Sequence, residues 1–361
     1  MAEAAEGRAS AGSVESVVGF ATLCVAFVLV YIGSGRFVHF DEGLLGYAVA
    51  TLIAIAATAA RVAAYLWRPP TRRLAAQSLA ALQQRPRARH HVAHFFRQLV
   101  IDFFAQRFIF RRGAWRWAQH WLIAWGVIGS FAITIPLTFG WFHFETLSEG
   151  TYTAVLGTIP LFQFSLGTIV GDLIFNALNL AALALLVGLL MALARRYFLY
   201  DAAVDQRVSY DLFPLFLLLA VTLTGLGLTV SYLFFGGRFH AEIGLAHEAA
   251  VVLLLLVFPF SKLFHVFVRP LAQLVDVYHR ANDAAGLKRC ARCRRVYASE
   301  RQIADVKAVL AEQGWRFPVA SPNGHAVVHT ADLCYDCKRI HHGLVWSGRG
   351  VDFVPLAPRK E

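Results

Sequence analysis

Six stretches of this chain stay apolar over the thickness of a bilayer's hydrocarbon core, and that pattern limits the fold more than any other feature. They are 17–32 with its continuation, 44–67, 117–142, 169–193, 212–235 and 246–270. Arg68-Pro69-Pro70 stops the second, because proline lacks the amide and clashes with the preceding turn. Arg61, near the end of that run, is placed to snorkel to the interface. Only 16% of residues are charged and mean hydropathy is +0.53, against about 25% charged in soluble domains. The expected fold is an all-α polytopic membrane protein of about six transmembrane helices in a bundle, followed by a small C-terminal cytoplasmic domain. The chain then divides into a disordered N-terminus (1–16), two helices (17–68), a basic loop (69–116), a four-helix core (117–270) and a tail (271–361).

The net charge of +11 does not call for nucleic acid. Arginines concentrate between the second and third spans, from Arg68 to Arg116, and again at Arg195, Arg196 and Arg207. By the positive-inside rule those loops, and with them both termini, are cytoplasmic. Within the first loop, residues 92–110 mix phenylalanines and charges at near-helical spacing, which predicts an amphipathic helix on the inner membrane surface. His90, His91 and His94 beside it read as solvated or lipid-facing.

His247 and His265 stand near the two ends of the last span, AHEAAVVLLLLVFPFSKLFHVFVRP. Were that stretch one helix, the two imidazoles would leave the same face about five turns and roughly 27 Å apart. One histidine at each lipid boundary is the spacing that two stacked b-type haems require, each iron taking neutral imidazoles from two helices. His120, at the inner end of the third span, lies on the side of His265.

The stretch from His247 to Pro270, and FPFSKLFHVFVRPL within it, resembles the last helix of the gamma subunit of respiratory nitrate reductases, a membrane cytochrome b. RRGAWRWAQHWLIAWGVIG resembles the helix bearing the partner ligands, more closely in the membrane subunits of heterodisulfide-reductase-like complexes. GDLIFNALNLAALALLVGLLMALARRYF is similar to the next helix of that group, so the resemblance covers roughly residues 105–275. It implies that His120 and His265 hold an inner haem b and that His247 is one ligand of an outer haem b. In that family a second histidine follows the first by ten residues; here the position is Ser130. His39, His143 and His240 are on the correct side to replace it. His143 is the best placed of these, although about 34 Å of helix from His120 would require a bend.

A cytochrome b of this kind would exchange electrons with quinone. Polar groups at membrane depth or its edge are Asp172, Asn176, Asn179, Glu242 and Glu248. Glu248, beside His247, is the preferred proton-handling group, and Asp172 the second quinone candidate; the asparagines also read as interhelical hydrogen-bond partners.

After Pro270 the composition turns soluble. Cys290-Ala-Arg-Cys293 and Cys334-Tyr-Asp-Cys337 predict a zinc-ribbon-like site with four thiolate ligands, since disulfides are disfavoured in a reducing cytoplasm. Between the pairs, Ser299 and Gln302 form a capping box for a helix ending near Gly314, and Asn323-Gly324 marks a hairpin. Zinc and a rubredoxin-like iron both fit four cysteines; the closely spaced ferredoxin run is absent. His329, His341 and His342 could replace a ligand, and Cys24 reads as a packed thiol.

The expectation is a cytochrome b subunit in a bacterial or archaeal cytoplasmic membrane. It would pass electrons between the (mena)quinone pool and an iron–sulfur or other catalytic partner subunit on the cytoplasmic side. The alternative is a haem-free membrane anchor that docks a partner through its metal-binding tail. Transport has little support, because no matching pair of Gly/Pro-broken helices is present.

Overall fold

The computed structural model describes residues 2–83, 88–198, 207–282, 286–315, 318–320 and 327–346. Among them the order is α1 (Ala2–Gly33), α2 (Leu45–Trp67), α3 (Pro69–Gln83), α4 (Ala88–Gln98), α5 (Arg107–Phe110), α6 (Ala114–Thr138), β1 (Phe142–Ser148), β2 (Thr151–Leu156), β3 (Ile159–Ser165), α7 (Ile169–Phe198), α8 (Phe213–Phe235), α9 (His240–Val257), α10 (His265–Ala272), α11 (Leu274–Asn282), β4 (Leu287–Arg289), β5 (Val296–Ser299), α12 (Glu300–Glu312), β6 (Pro318–Ala320), β7 (Val327–His329) and α13 (Tyr335–Trp346). The protein is mostly helical, and six helices (α1, α2, α6, α7, α8 and α9) are long and apolar enough to cross a membrane. Helix α1 reaches back to Ala2, so residues 2–16 are helical where composition predicted disorder; the alanines there are strong helix formers.

Contacts divide the chain into two units. The first holds residues 14–63 and 100–268, with every one of the long apolar helices. Its core joins Leu185 and Leu189 of α7 to Leu217 and Leu218 of α8 and Leu254 of α9. Helices α6 and α7 approach closely because glycines face the partner: a Cβ on Gly126 would lie 2.7 Å from that of Leu185, and one on Gly188 2.9 Å from the Ile123 amide nitrogen. Elsewhere large apolar side chains such as Leu173, Leu180 and Leu190 point outward, as expected where lipid replaces water.

Two features of this unit depart from expectation. Residues 142–165 are not helical: β1, β2 and β3 form an antiparallel sheet with turns at Gly150 (φ +73°) and Gly157 (φ +63°). Alternating aromatic and polar residues between such turns suit a half-buried strand better than a helix. The last apolar stretch is also interrupted. Helix α9 ends at Val257; Phe258–Phe260 form a single 3₁₀ turn; Ser261 is extended (φ −96°, ψ 179°) and its hydroxyl accepts the Leu263 amide at 3.2 Å. Pro259 supplies the cause, having no amide to continue the ladder. The one-face, five-turn relation between His247 and His265 therefore does not hold. The Arg61 guanidinium lies over the rings of Phe264 and Phe260, at 5.0 and 5.5 Å.

The second unit holds residues 1–13, 64–99 and 269–361. Helices α3, α4, α11 and α12 pack together here. The predicted amphipathic helix at 92–110 is broken: α4 stops at Gln98, a π-helical turn follows, and Gln106 adopts a left-handed conformation (φ +53°). His91 and His94 are buried rather than solvated or lipid-facing. The His94 Nε2 meets the Asp276 carboxylate, which Arg280 also holds at 3.1 Å. Ser78 Oγ donates to the Leu274 carbonyl at 2.9 Å, Tyr278 donates to Asp305 at 2.8 Å, and Arg72 pairs with Glu312.

Burial pushes the Asp276 carboxyl up, but His94 and Arg280 outweigh it and hold it below the usual carboxylate range. A depressed carboxylate stabilises fully above its unfolded pKa and loses that contribution as pH falls through the folded value. Attachment of α4 to α11 should therefore weaken below about pH 4. Because the Asp276 side chain is 42% exposed, the loss should stay under about 1 kcal/mol. Amide exchange across α4 measured against pH, with Asp276→Asn for comparison, checks this.

Candidate functional site

His120 lies in the second turn of α6 and His265 opens α10. Their ring centroids are 6.1 Å apart with an interplanar angle of 68°. Two imidazoles ligating one iron from opposite sides, at about 2.0 Å each, hold their centroids roughly 6.3 Å apart. The Nδ1 of His120 is 2.8 Å from Gln106 Oε1, and that of His265 is 2.7 Å from the Lys262 carbonyl. Both acceptors are carbonyl oxygens, so each Nδ1 donates and each neutral ring carries its lone pair on Nε2. Orientation of a ligating histidine through its other nitrogen is the usual arrangement at metal sites. The donor types are those that a bis-histidine haem b would take, with His120 half-buried and His265 exposed.

The orienting group on His120 was not predicted from the sequence. Gln106 is buried and held in place by the turn before it, which two indoles of α6 clasp: Trp117 donates to the Ala105 carbonyl at 2.9 Å and Trp125 to that of Phe104 at 3.3 Å. The i, i+4 spacing of Trp117, Trp121 and Trp125 was the available signal. Lys262 in turn forms an ion pair with Asp211, just before α8.

The surroundings of His247 are arranged differently. His247 Nδ1 is 2.9 Å from Thr224 Oγ1, whose own proton goes to the Ala220 carbonyl at 2.7 Å, so the imidazole donates. A Cβ on Gly225 would stand 3.1 Å from the His247 ring, so glycine makes room for it. The Tyr47 ring lies 6.4 Å away, and Glu248 presses its carboxylate against Gly46, where a Cβ would be 2.2 Å from Oε1. His143 is not brought to His247. Helix α6 ends before it, and it lies on β1, stacked on His39 at 4.2 Å, with Nδ1 on the Gly140 carbonyl at 3.2 Å and Nε2 3.6 Å from Glu145. His240 opens α9, two turns before His247, and about 10 Å of rise keeps both from one iron. Asp172 is exposed in the first turn of α7. Asn179 accepts from Thr229 of α8 at 2.9 Å, so it serves as an interhelical partner. Glu242 sits in the first turn of α9.

The four predicted cysteines come together. Their sulfurs all lie within 4.8 Å of one another, and Cys293 and Cys334 are 3.7 Å apart. A tetrahedron with metal–sulfur bonds of 2.3 Å has edges of about 3.8 Å. A single ion fits such a cage. A cubane cluster does not, because it sets each thiolate on a different iron and spreads the sulfurs further. Cys290 and Cys293 sit in the turn between β4 and β5, closed by Arg294 at φ +62°, whereas Cys334 and Cys337 are at the start of α13. One pair therefore comes from a hairpin turn and the other from a helix start. Strands β6 and β7 pair, although the Asn323-Gly324 turn lies outside the described residues. Ser299 caps α12 as expected, accepting the Gln302 amide at 3.2 Å.

Burial raises the Cys290 thiol, but amides of Cys293, Cys334 and Arg292 outweigh it and bring it to about 7. Burial and the neighbouring sulfurs push Cys337 up. A divalent cation at the centre is what would let all four ionise together. Asp332, held by Lys307 at 2.8 Å and Lys288 at 3.2 Å, braces the site, and its carbonyl accepts the Ala291 amide at 2.9 Å. His329 caps the turn before Leu333, accepting the Ala331 amide at 3.0 Å. No family model, curated protein or solved structure matches this chain.

Proposed function

We propose that the protein is a membrane cytochrome b subunit that passes electrons between the quinone pool and a partner on its cytoplasmic side. The observation that supports this most is the His120–His265 pair, with ring centroids 6.1 Å apart and both Nδ1 protons directed to carbonyls. A haem b held there would supply one-electron transfer. His120 and His265 would hold it, with Gln106 and the Lys262 carbonyl fixing their tautomers. The rings of Phe258 and Phe264 each contact that of Phe267, two residues from His265 in α10.

On the outer side His247 has Tyr47 rather than a second histidine as its ring neighbour, which favours one haem over two. Tyr47 offers a hydroxyl donor to a quinone carbonyl, and His247 Nε2 and Glu248 offer proton acceptors to a quinol, with Glu248 in the proton-handling role and Asp172 left out. The cysteine cage is read as a single zinc or iron ion that shapes the face meeting the partner.

The purified protein should show a b-type reduced-minus-oxidised spectrum, lost in both His120→Ala and His265→Ala. Pyridine haemochrome titration should count one haem per chain; two would mean that His247 has found a second ligand. A colourless, folded wild-type protein would replace this reading with that of a haem-free anchor. Metal analysis of the same sample distinguishes zinc from iron.

A further inference from the structure

The β1–β3 sheet has two chemically different faces. Register pairs Phe142 with Leu156, Phe144 with Ala154, and Tyr152 with Phe164, so these side chains share one face, together with Phe162 opposite Ala154. The other face exposes Glu145 and Gln163 on the two edge strands, beside half-buried His143, while Thr153 and Val155 of the central strand are buried. The apolar face is seated on α7: the rings of Phe144, Tyr152 and Phe164 lie 5.4, 5.4 and 5.6 Å from that of Phe175. Phe175 itself is 43% exposed on a helix long and apolar enough to span a membrane. The sheet's apolar face therefore continues the outward flank of α7, and at its margin Leu156 and Phe162 stay 48% and 46% exposed.

The level of the sheet follows from its attachments. Gly126 packs against Leu185, Gly129 against Ala181 and Gly188 against Ile123, so α6 and α7 are antiparallel and the start of α7 lies beside the end of α6. The Gly157 turn donates to the Trp141 carbonyl at 2.7 Å, just past that end, while a Cβ on Gly171 would touch the Ser165 carbonyl. Both ends of the sheet are thus tied to the ends of membrane helices. From Gly150 to Gly171 the chain carries no charged side chain, and aromatic residues dominate the apolar face. Aromatic side chains favour the headgroup level, and their apolar bodies are stabilised at the acyl boundary.

We infer that the apolar face of the β1–β3 sheet rests in the lipid interface, forming an amphipathic β-anchor at one end of the α6–α7 pair. The inference stands on sheet register and packing and does not depend on haem.

Adjacent residues on opposite faces provide the test. Phe162→Cys, Leu156→Cys and Gln163→Cys, each in a Cys24→Ser background, are labelled with an environment-sensitive fluorophore in phosphatidylcholine nanodiscs. The parent without a new cysteine gives the contribution of the tail thiols to subtract. Labels at 162 and 156 should be quenched severalfold more than the label at 163 by a lipid with a nitroxide high on its acyl chain, and severalfold less by aqueous iodide. If Phe162→Cys does not fold, Leu156→Cys reports on the same face. Equal iodide quenching on both faces would overturn the inference. So would shielding of 162 and 156 from both quenchers, which would mean that protein, or a second copy, covers the face.

Discussion

Cys290→Ser should unfold the cysteine domain, not merely lower its metal content. The buried cluster of that domain consists of Cys290, Val319, Leu333, Cys334 and Cys337, so three of its five members are the proposed ligands. Such a core has little apolar area of its own to offset the entropy of ordering its loops. Structural zinc sites in small domains contribute apparent binding free energies of about 10–16 kcal/mol, far more than one buried side chain supplies. Serine is a poor ligand for the ion, and its shorter Cβ–O bond draws the acceptor back from the Cys334 amide, which lies 3.3 Å from the Cys290 sulfur. The expected result is metal content falling from one ion per chain to near zero, with amide exchange across β4, β5 and α13 rising to the unprotected rate. Cys24→Ser, on α1, should change neither reading.

The second large effect is expected at the contact between α6 and α7. Gly126→Leu and Gly188→Val each put carbon where the neighbour is backbone, 2.9 Å from the Leu185 nitrogen and 2.9 Å from that of Ile123. Backbone atoms cannot rotate aside as a side chain can, so the helices must separate. Overpacking of this kind costs typically about 1–3 kcal/mol per site, and both together should exceed either alone. A Cβ on Gly188 would also lie 3.0 Å from the Gln119 carbonyl, beside His120, so any haem spectrum of the proposed His120–His265 site should weaken along with thermal stability. Gly129→Ala is the control: its Cβ would stand 3.6 Å from Ala181, an ordinary contact, and the variant should match wild type. Thermal unfolding in detergent, followed with the haem absorbance, separates these outcomes.

Much of the scaffold was legible because lipid leaves a chain few choices. All six long apolar helices were visible as runs with few charges, and four cysteines in two close pairs announced their convergence. What failed to show was whatever depended on local backbone breaks or distant neighbours. Pro259 was in plain view, but periodicity alone treated Ala246–Pro270 as one rod. The sheet at 142–165 was hidden by its position between two spans, although Gly150 and Gly157 punctuate alternating aromatics there. His91 and His94 were read as surface groups because nothing near them in sequence reveals Asp276, which meets His94 from α11. Tyr47, Thr224 and Gln106 were missed for the same reason: each acts on a histidine far away in the chain.

The interruption between Val257 and His265 uncouples two things that a continuous helix would have joined, the direction of α9 and the position of the His265 ring. A spanning helix adjusts to thicker or thinner membranes by tilting, and a rigid rod would carry His265 with it. Here the imidazole is oriented from within its own turn by the Lys262 carbonyl, and Lys262 is tied to Asp211 at the head of another helix. Tilt in α9 can then be absorbed at Ser261, leaving the ring where His120 meets it. The break at Ser261 thus separates the axis of α9 from the turn that orients His265.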